Sequence, residues 1–222
     1  MAYRFHPRSL HFVVVVGVFV LALLAAIGQV RAAPEAAFQS AFMHFNQASA
    51  GDSAAIDKAA DEFSALLEAE PTSPVLMAYA GAATAMKARN TTLPWKKMGH
   101  AEDGLALIDK ALALLEPEHD AALQHGTPGS LEVRFVASST HLAMPGFMNR
   151  GARGAKLQAE VLASPLFATA PLPFQGAVWM AAAAQASKDK RPEDAQRYLN
   201  EVVSRNAPQA ERARALLKGG AA

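Results

Sequence analysis

The sequence predicts an all-α protein: a short array of stacked antiparallel helical hairpins with extended connectors inside the hairpins. Three observations carry this. Pro71, Pro117, Pro165 and Pro208 recur at intervals of 46, 48 and 43 residues, each closing the second helix of a pair. Periods in this range mark arrays of stacked helical pairs, none of which can bury its apolar stripe alone. No sustained alternation with β-branched enrichment occurs, so almost no sheet is expected.

The first 32 residues read as a secretory signal, leaving residues 33–222 as one helical repeat domain. Arg4 and Arg8 form a basic start, and Phe12 to Ile27 is an apolar run of 16 residues. Val30 and Ala32 then supply small residues before a cut, and cleavage after Ala33 is disfavoured because Pro34 follows. The competing expectation is a retained inner-membrane anchor facing the periplasm, although the run is short of the roughly 20 residues that span a bilayer. No cysteine follows the run, which excludes a lipoprotein anchor.

Without those residues the chain has 18 Lys and Arg against 20 Asp and Glu, a net charge of −2. No basic domain remains to argue for nucleic acid. Export without any cysteine leaves stability to packing alone and favours a bacterial periplasm.

Each helix has its own local cause. Glu35 to Ala48 carries Phe38, Phe42 and Phe45 at helical spacing, and Gly51 and Asp52 stop it and cap the next. Ile56, Ala59, Ala60, Phe63, Leu66 and Leu67 form one stripe on a 3.6-residue helix, ended by Pro71. Pro74 opens a third helix to Lys87, because proline suits a first turn but not an interior. Its run from Tyr79 to Ala83 is small and centred on Gly81, which lets a neighbouring helix approach closely.

A connector from Ala88 to His100 is expected before the helix Glu102 to Leu115. A polar turn through Gly126 and Gly129 follows. Leu131 to Ala143 and Ala152 to Ala163 make the next pair, separated by Met144, Pro145, Gly146 and Phe147. Phe174 to Ala186, Pro192 to Ser204 and Gln209 to Lys218 complete the chain, the last as a cap. Val178, Trp179 and Met180 lie in an apolar stretch too short for a membrane span, so a buried core helix is expected there.

These residues resemble the tetratricopeptide repeat (TPR) family. Ala59, Phe63, Leu66 and Pro71 fit that family's second-helix spacing, and Met77, Ala80 and Gly81 fit its first helix. Gly104, Ile108, Ala111 and Pro117 follow it with the proline one residue late, as do Ala195, Leu199, Val202 and Pro208. The third unit aligns only by period, and every interval exceeds the family's unit of about 34 residues. Leu93 to Lys97, followed by Gly104 to Ala111, is also similar to uncharacterised exported bacterial proteins with such repeats. The resemblance implies a fold and an interaction surface, and no reaction.

Catalytic constellations are weak. His119, Asp120 and His125 are the one close grouping with metal-ligand chemistry, and a loop pair of this kind is usually solvated surface. Ser138, Ser139 and His141 share one helical stretch, where neighbours do not converge as nucleophile and base, and no nucleophile elbow accompanies them. Glu116, Glu118 and Asp120 lack calcium-loop spacing. Gly151 and Gly154 follow no strand and precede no phosphate-loop lysine. No enzyme activity, metal or cofactor is therefore expected.

The expectation is instead a periplasmic scaffold that binds an envelope protein. First-helix residues Tyr79, Thr84, Lys87 and Arg134 are expected to line its groove. Trp95 with Lys96 and Lys97, and Phe147 with Arg150, occupy two connectors at the same point of their hairpins and should emerge on one rim. Inserted loops commonly fold their largest apolar group inward, so Trp95 and Phe147 are expected as plugs between helices. The rival reading makes them partner anchors. Two other functions stay open: a small-ligand binder lidded by Trp95 and Phe147, and a membrane-tethered accessory of an envelope transport or assembly complex.

Overall fold

A computed structural model describes residues 35–123 and 125–219. The expected signal, residues 1–32, lies outside the described residues. Among them are nine α-helices, short 3-10 turns and no strand; one isolated bridge joins Ala122 to Pro128. The helices are α1 (35–49), α2 (Ala54–Ala69), α3 (Pro74–Met86), α4 (Pro94–Ala113), α5 (Gly129–Ala143), α6 (Gly151–Ala163), α7 (Leu172–Lys188), α8 (Pro192–Ser204) and α9 (Ala210–Lys218). No helix among the described residues is long and apolar enough to cross a membrane.

Successive helices pack in adjacent pairs. The tightest meeting is between α3 and α4, and α5 with α6 and α7 with α8 repeat the arrangement. The cause lies in the small residues that the α3 sequence concentrates. A Cβ placed on Gly81 would stand 2.6 Å from the Gly104 carbonyl oxygen, and one on Gly104 would stand 2.7 Å from the Ala85 amide nitrogen. Only hydrogen fits at either position. This approach also lets α2 and α5 close over α3, so that every residue from Pro74 to Ala83 is buried.

Two apolar clusters result. Phe63, Met77, Tyr79, Ile108, Val133 and Val136 belong to the first, and Phe38, Phe42 and Phe45 of α1 cover it. The second joins Leu131, Val161, Phe167, Trp179, Leu199 and Val202. Helix α5 supplies both, with Leu131 on one side and Val133, Val136 and Ala137 on the other. As expected, Val178 and Trp179 are core residues.

The direction of the pairs follows from two contacts. A Cβ on Gly129, at the start of α5, would stand 3.5 Å from Val75 at the start of α3. Tyr79 and Glu132, each about one turn further along, also meet, so these two helices run parallel and their C-terminal ends share one edge of the molecule. At that same edge Arg89 Nη2 donates to the Ala48 carbonyl oxygen (3.1 Å), and Asn90 Nδ2 donates to that of Ser53 (2.8 Å). The turns after α1, α3 and α5 thus lie together, and we call this edge the rim.

The α3–α4 connector corrects the expectation of a long loop from 88 to 100. Lys87–Arg89 forms a 3-10 turn, and Pro94 then begins α4 at its first helical position, after Leu93 in an extended conformation. Proline accepts that position because its missing N–H has no helical partner there. The extra residues become helix, so α4 reaches 20 residues against 13 for α3.

A methyl group at Gly104 should therefore destabilise the fold by about 1–3 kcal/mol or more through overpacking. Gly99, on the same helix with nothing within 4 Å of its Cβ position, is the control. Urea unfolding should show Gly104→Ala losing stability while Gly99→Ala gains about 0.8–1 kcal/mol from helix propensity.

Candidate interaction surface

Trp95 and Phe147 are each 69% exposed, the two most exposed large apolar side chains among the described residues. The expected inward plug is therefore wrong for both. Trp95 occupies the first turn of α4, where the helix has outrun α3 and no neighbour remains to cover it. About 15 Å of α4 precedes the contact at Gly104. Phe147 sits in a 3-10 turn, Gly146–Met148, between α5 and α6, held away from the core by the short connector. Lys96 and Lys97 are exposed beside Trp95, and Arg150 is half-buried.

The expected groove residues disperse. Tyr79 is 4% exposed and belongs to the first core, stacked on Phe63 with ring centroids 4.8 Å apart, so it lines no surface. Lys87 Nζ turns toward α2, 3.8 Å from Asp57 Oδ1 and 3.9 Å from Asp61 Oδ1. Thr84 and Arg134 are half-buried, and Arg134 Nη1 donates to the Ser130 carbonyl oxygen at 3.3 Å. Trp95, Lys96, Lys97, Phe147 and Arg150 lie at the rim, and Lys87 begins the turn there but is drawn to the α2 acids; Tyr79, Thr84 and Arg134 do not join them.

Two polar clusters lie beneath the surface. Asp109 of α4 meets Arg153 Nη2 at 2.9 Å and Arg150 Nη1 at 3.7 Å, an ion-pair group that pins the α5–α6 connector against α4. Below it His141 is fully buried, neither ring nitrogen has a hydrogen-bond partner, and Nε2 stands 3.7 Å from Asp109 Oδ1. Burial, reinforced by the Arg153 guanidinium, pushes the His141 imidazole below its ordinary value and keeps it neutral. Ser138 Oγ is committed to the Gly154 carbonyl oxygen at 2.9 Å. These groups offer no nucleophile–base contact.

The second cluster surrounds Glu132, a carboxylate 4% exposed near the start of α5. Tyr79 Oη donates to Oε1 at 2.6 Å, and His125 Nε2 pairs with Oε2 at 2.6 Å. Burial, together with the Glu132 charge, pushes the Tyr79 phenol far above its usual range, so it remains a donor. The Glu132 hydrogen bond raises the His125 imidazole, with the Glu35 charge contributing, and Phe38 stacks on its ring at 5.8 Å. Tyr79, Glu132 and His125 thus fasten α3, α5, α1 and the 121–128 loop at one point. His119, the other loop histidine, instead accepts the Glu116 backbone N–H at 3.0 Å through Nδ1, so the two do not converge. Sequence reasoning missed Glu132; a single acid between Leu131 and Val133 is the one signal that could have marked it.

Two open surface pockets lie elsewhere. One, of about 420 Å³, opens on the polar face of α8; the other, of about 310 Å³, is walled by Phe167, Trp179, Tyr198 and Arg205. Neither includes Trp95 or Phe147. Among the described residues no three His, Asp or Glu side chains stand together as metal ligands. Compared with known proteins, the chain matches no family model, no curated protein and no solved structure.

The raised His125 value sets a pH dependence. Its pairing with Glu132 stabilises the fold fully below the ordinary imidazole value of 6.5 and is lost as pH rises through the raised folded value. Melting temperature should fall across that rise. His125→Phe, which keeps an aromatic ring against Phe38, should flatten this part of the profile; an NMR titration placing His125 at or below 6.5 would contradict the assignment.

Proposed function

We propose that the chain is an exported, periplasmic TPR-like scaffold that docks on an envelope protein without catalysing a reaction. The observation that carries this reading is the pair of exposed aromatic side chains at one rim, Trp95 in the first turn of α4 and Phe147 in the α5–α6 turn. Large aromatics are costly to leave in water and are over-represented among interface hot spots, where a few anchors supply most of the affinity. Their cationic neighbours Lys96, Lys97 and Arg150 add a means of selecting partners by charge.

Helix pairing supports the repeat reading. The first helices of the second and third pairs, α3 and α5, pack side by side and parallel, while α4 and α6 pack as second helices of their hairpins. Such an array exposes connectors at one edge and leaves them free to vary. A small-ligand role gains no support at the rim, because Trp95 and Phe147 line neither cavity. The apolar run Phe12 to Ile27 supports a second reading, a tethered accessory of an envelope complex. Intact mass of the exported protein separates the two: loss of residues 1–32 favours the untethered scaffold.

Trp95→Ala and Phe147→Ala should change unfolding free energy by no more than about 0.5 kcal/mol, as expected for exposed positions. Either substitution should sharply reduce capture of a specific protein from envelope extract. A wild-type sample that enriches none would refute the scaffold reading.

A further inference from the structure

We propose that the rim also seats the array on a lipid bilayer carrying anionic headgroups, with Trp95, Leu93 and Phe147 entering the interfacial layer. This rests on the rim being a docking surface and adds that lipid is what its aromatic tips enter.

Basic residues concentrate in the two connectors. Residues 87–101 contain Lys87, Arg89, Lys96 and Lys97 and no carboxylate; residues 144–159 contain Arg150, Arg153 and Lys156 and again no carboxylate. The nearest acids along the chain follow on the helices, Glu102 and Asp103 on α4 and Glu160 on α6, so the cations lead at the tips. Much of this charge is compensated by neighbouring acids: Lys87 by Asp57 and Asp61, Arg150 and Arg153 by Asp109, and Lys156 by Glu160. Lys96 and Lys97 are exposed and form no ion pair among the described residues. Opposing charges on this side are Asp52 in the neighbouring α1–α2 turn and, beyond Lys97 on α4, the exposed Glu102 and Asp103.

Shape and side-chain chemistry then select lipid. The parallel run of α3 and α5 places both connectors at one edge, and the additional turns of α4 make Trp95 a projection. Leu93, 37% exposed, stands just before the helix and widens the apolar tip. Neither of the two pockets described above includes Leu93, Trp95 or Phe147. Two exposed tips, one of tryptophan and leucine beside two lysines and one of phenylalanine, suit an interface where aromatic rings lie at headgroup level. Lysine stems can lie along the apolar layer while their ammonium groups reach the phosphates. Anionic lipid attracts such cations over about a Debye length, so the contact weakens with salt.

The test uses residues 33–222, since both apolar clusters close within the described part of that unit. Co-sedimentation with vesicles of phosphatidylglycerol and phosphatidylcholine should show at least ten-fold tighter binding than with phosphatidylcholine alone, and should weaken as salt rises. Trp95→Ala combined with Phe147→Ala should weaken binding at least ten-fold with the melting temperature unchanged. Lys96→Gln with Lys97→Gln should remove most of the preference for anionic vesicles. In a Trp179→Phe background, Trp95 emission should shift to the blue on binding; co-sedimentation of the otherwise native chain reads the same event should that variant fold poorly. Absence of binding to anionic vesicles, or binding indifferent to the aromatic substitutions, overturns the inference. Trp95-dependent capture of an envelope protein without vesicle binding would overturn the lipid contact and leave the scaffold standing. Aromatic substitutions that alter neither would overturn both.

Discussion

Helix α5 is the element on which the rest depends, because neither apolar cluster can close without it. Leu131 completes one core and Val133, Val136 and Ala137 complete the other, so a single helix couples the two halves. With no disulfide to supplement packing, this sharing turns separate hairpins into one cooperative body. Glu132, on the same helix, adds direction to an otherwise non-directional contact. Its oxygens accept Tyr79 from α3 and hold His125 from the preceding loop, which fixes where α5 lies along its neighbour. A buried carboxylate is tolerable there because both its oxygens are hydrogen-bonded.

The glycine contact between α3 and α4 and the exposure of the rim are linked. With Gly81 against Gly104, the two helices approach too closely for any side chain to lie between them at that level. A longer α4 can then only overhang, and its first turn loses the neighbours that would bury Trp95. Phe147 becomes exposed by a different route: Asp109 clamps Arg150 and Arg153 against α4, and the turn before them is left outside the packed layer. Tight packing below and exposure above are therefore one arrangement, which places the interaction surface on rigid supports.

Much of the helix pattern was legible. The α2 stripe, the proline starts of α3 and α8 and the small-residue face around Gly81 are local signals, each set by spacing or by the chemistry of one residue. Less was legible where the answer depends on a distant neighbour. Tyr79 reads as a surface position on its own helix, yet α2, α4 and α5 surround α3. Trp95 and Phe147 read as core plugs by size, but their burial depended on where the adjoining helices stopped.

By itself, the sequence determined the all-helical class, most helix boundaries marked by proline and glycine, and a small-residue face on α3 that a neighbouring helix could approach. These follow from backbone sterics and periodicity, which act over a few residues. The tertiary structure alone decided which apolar groups were left over, which carboxylate was buried with two partners and which cations were compensated by acids from another helix. Those outcomes depend on distances between segments far apart in the chain, which local spacing does not encode.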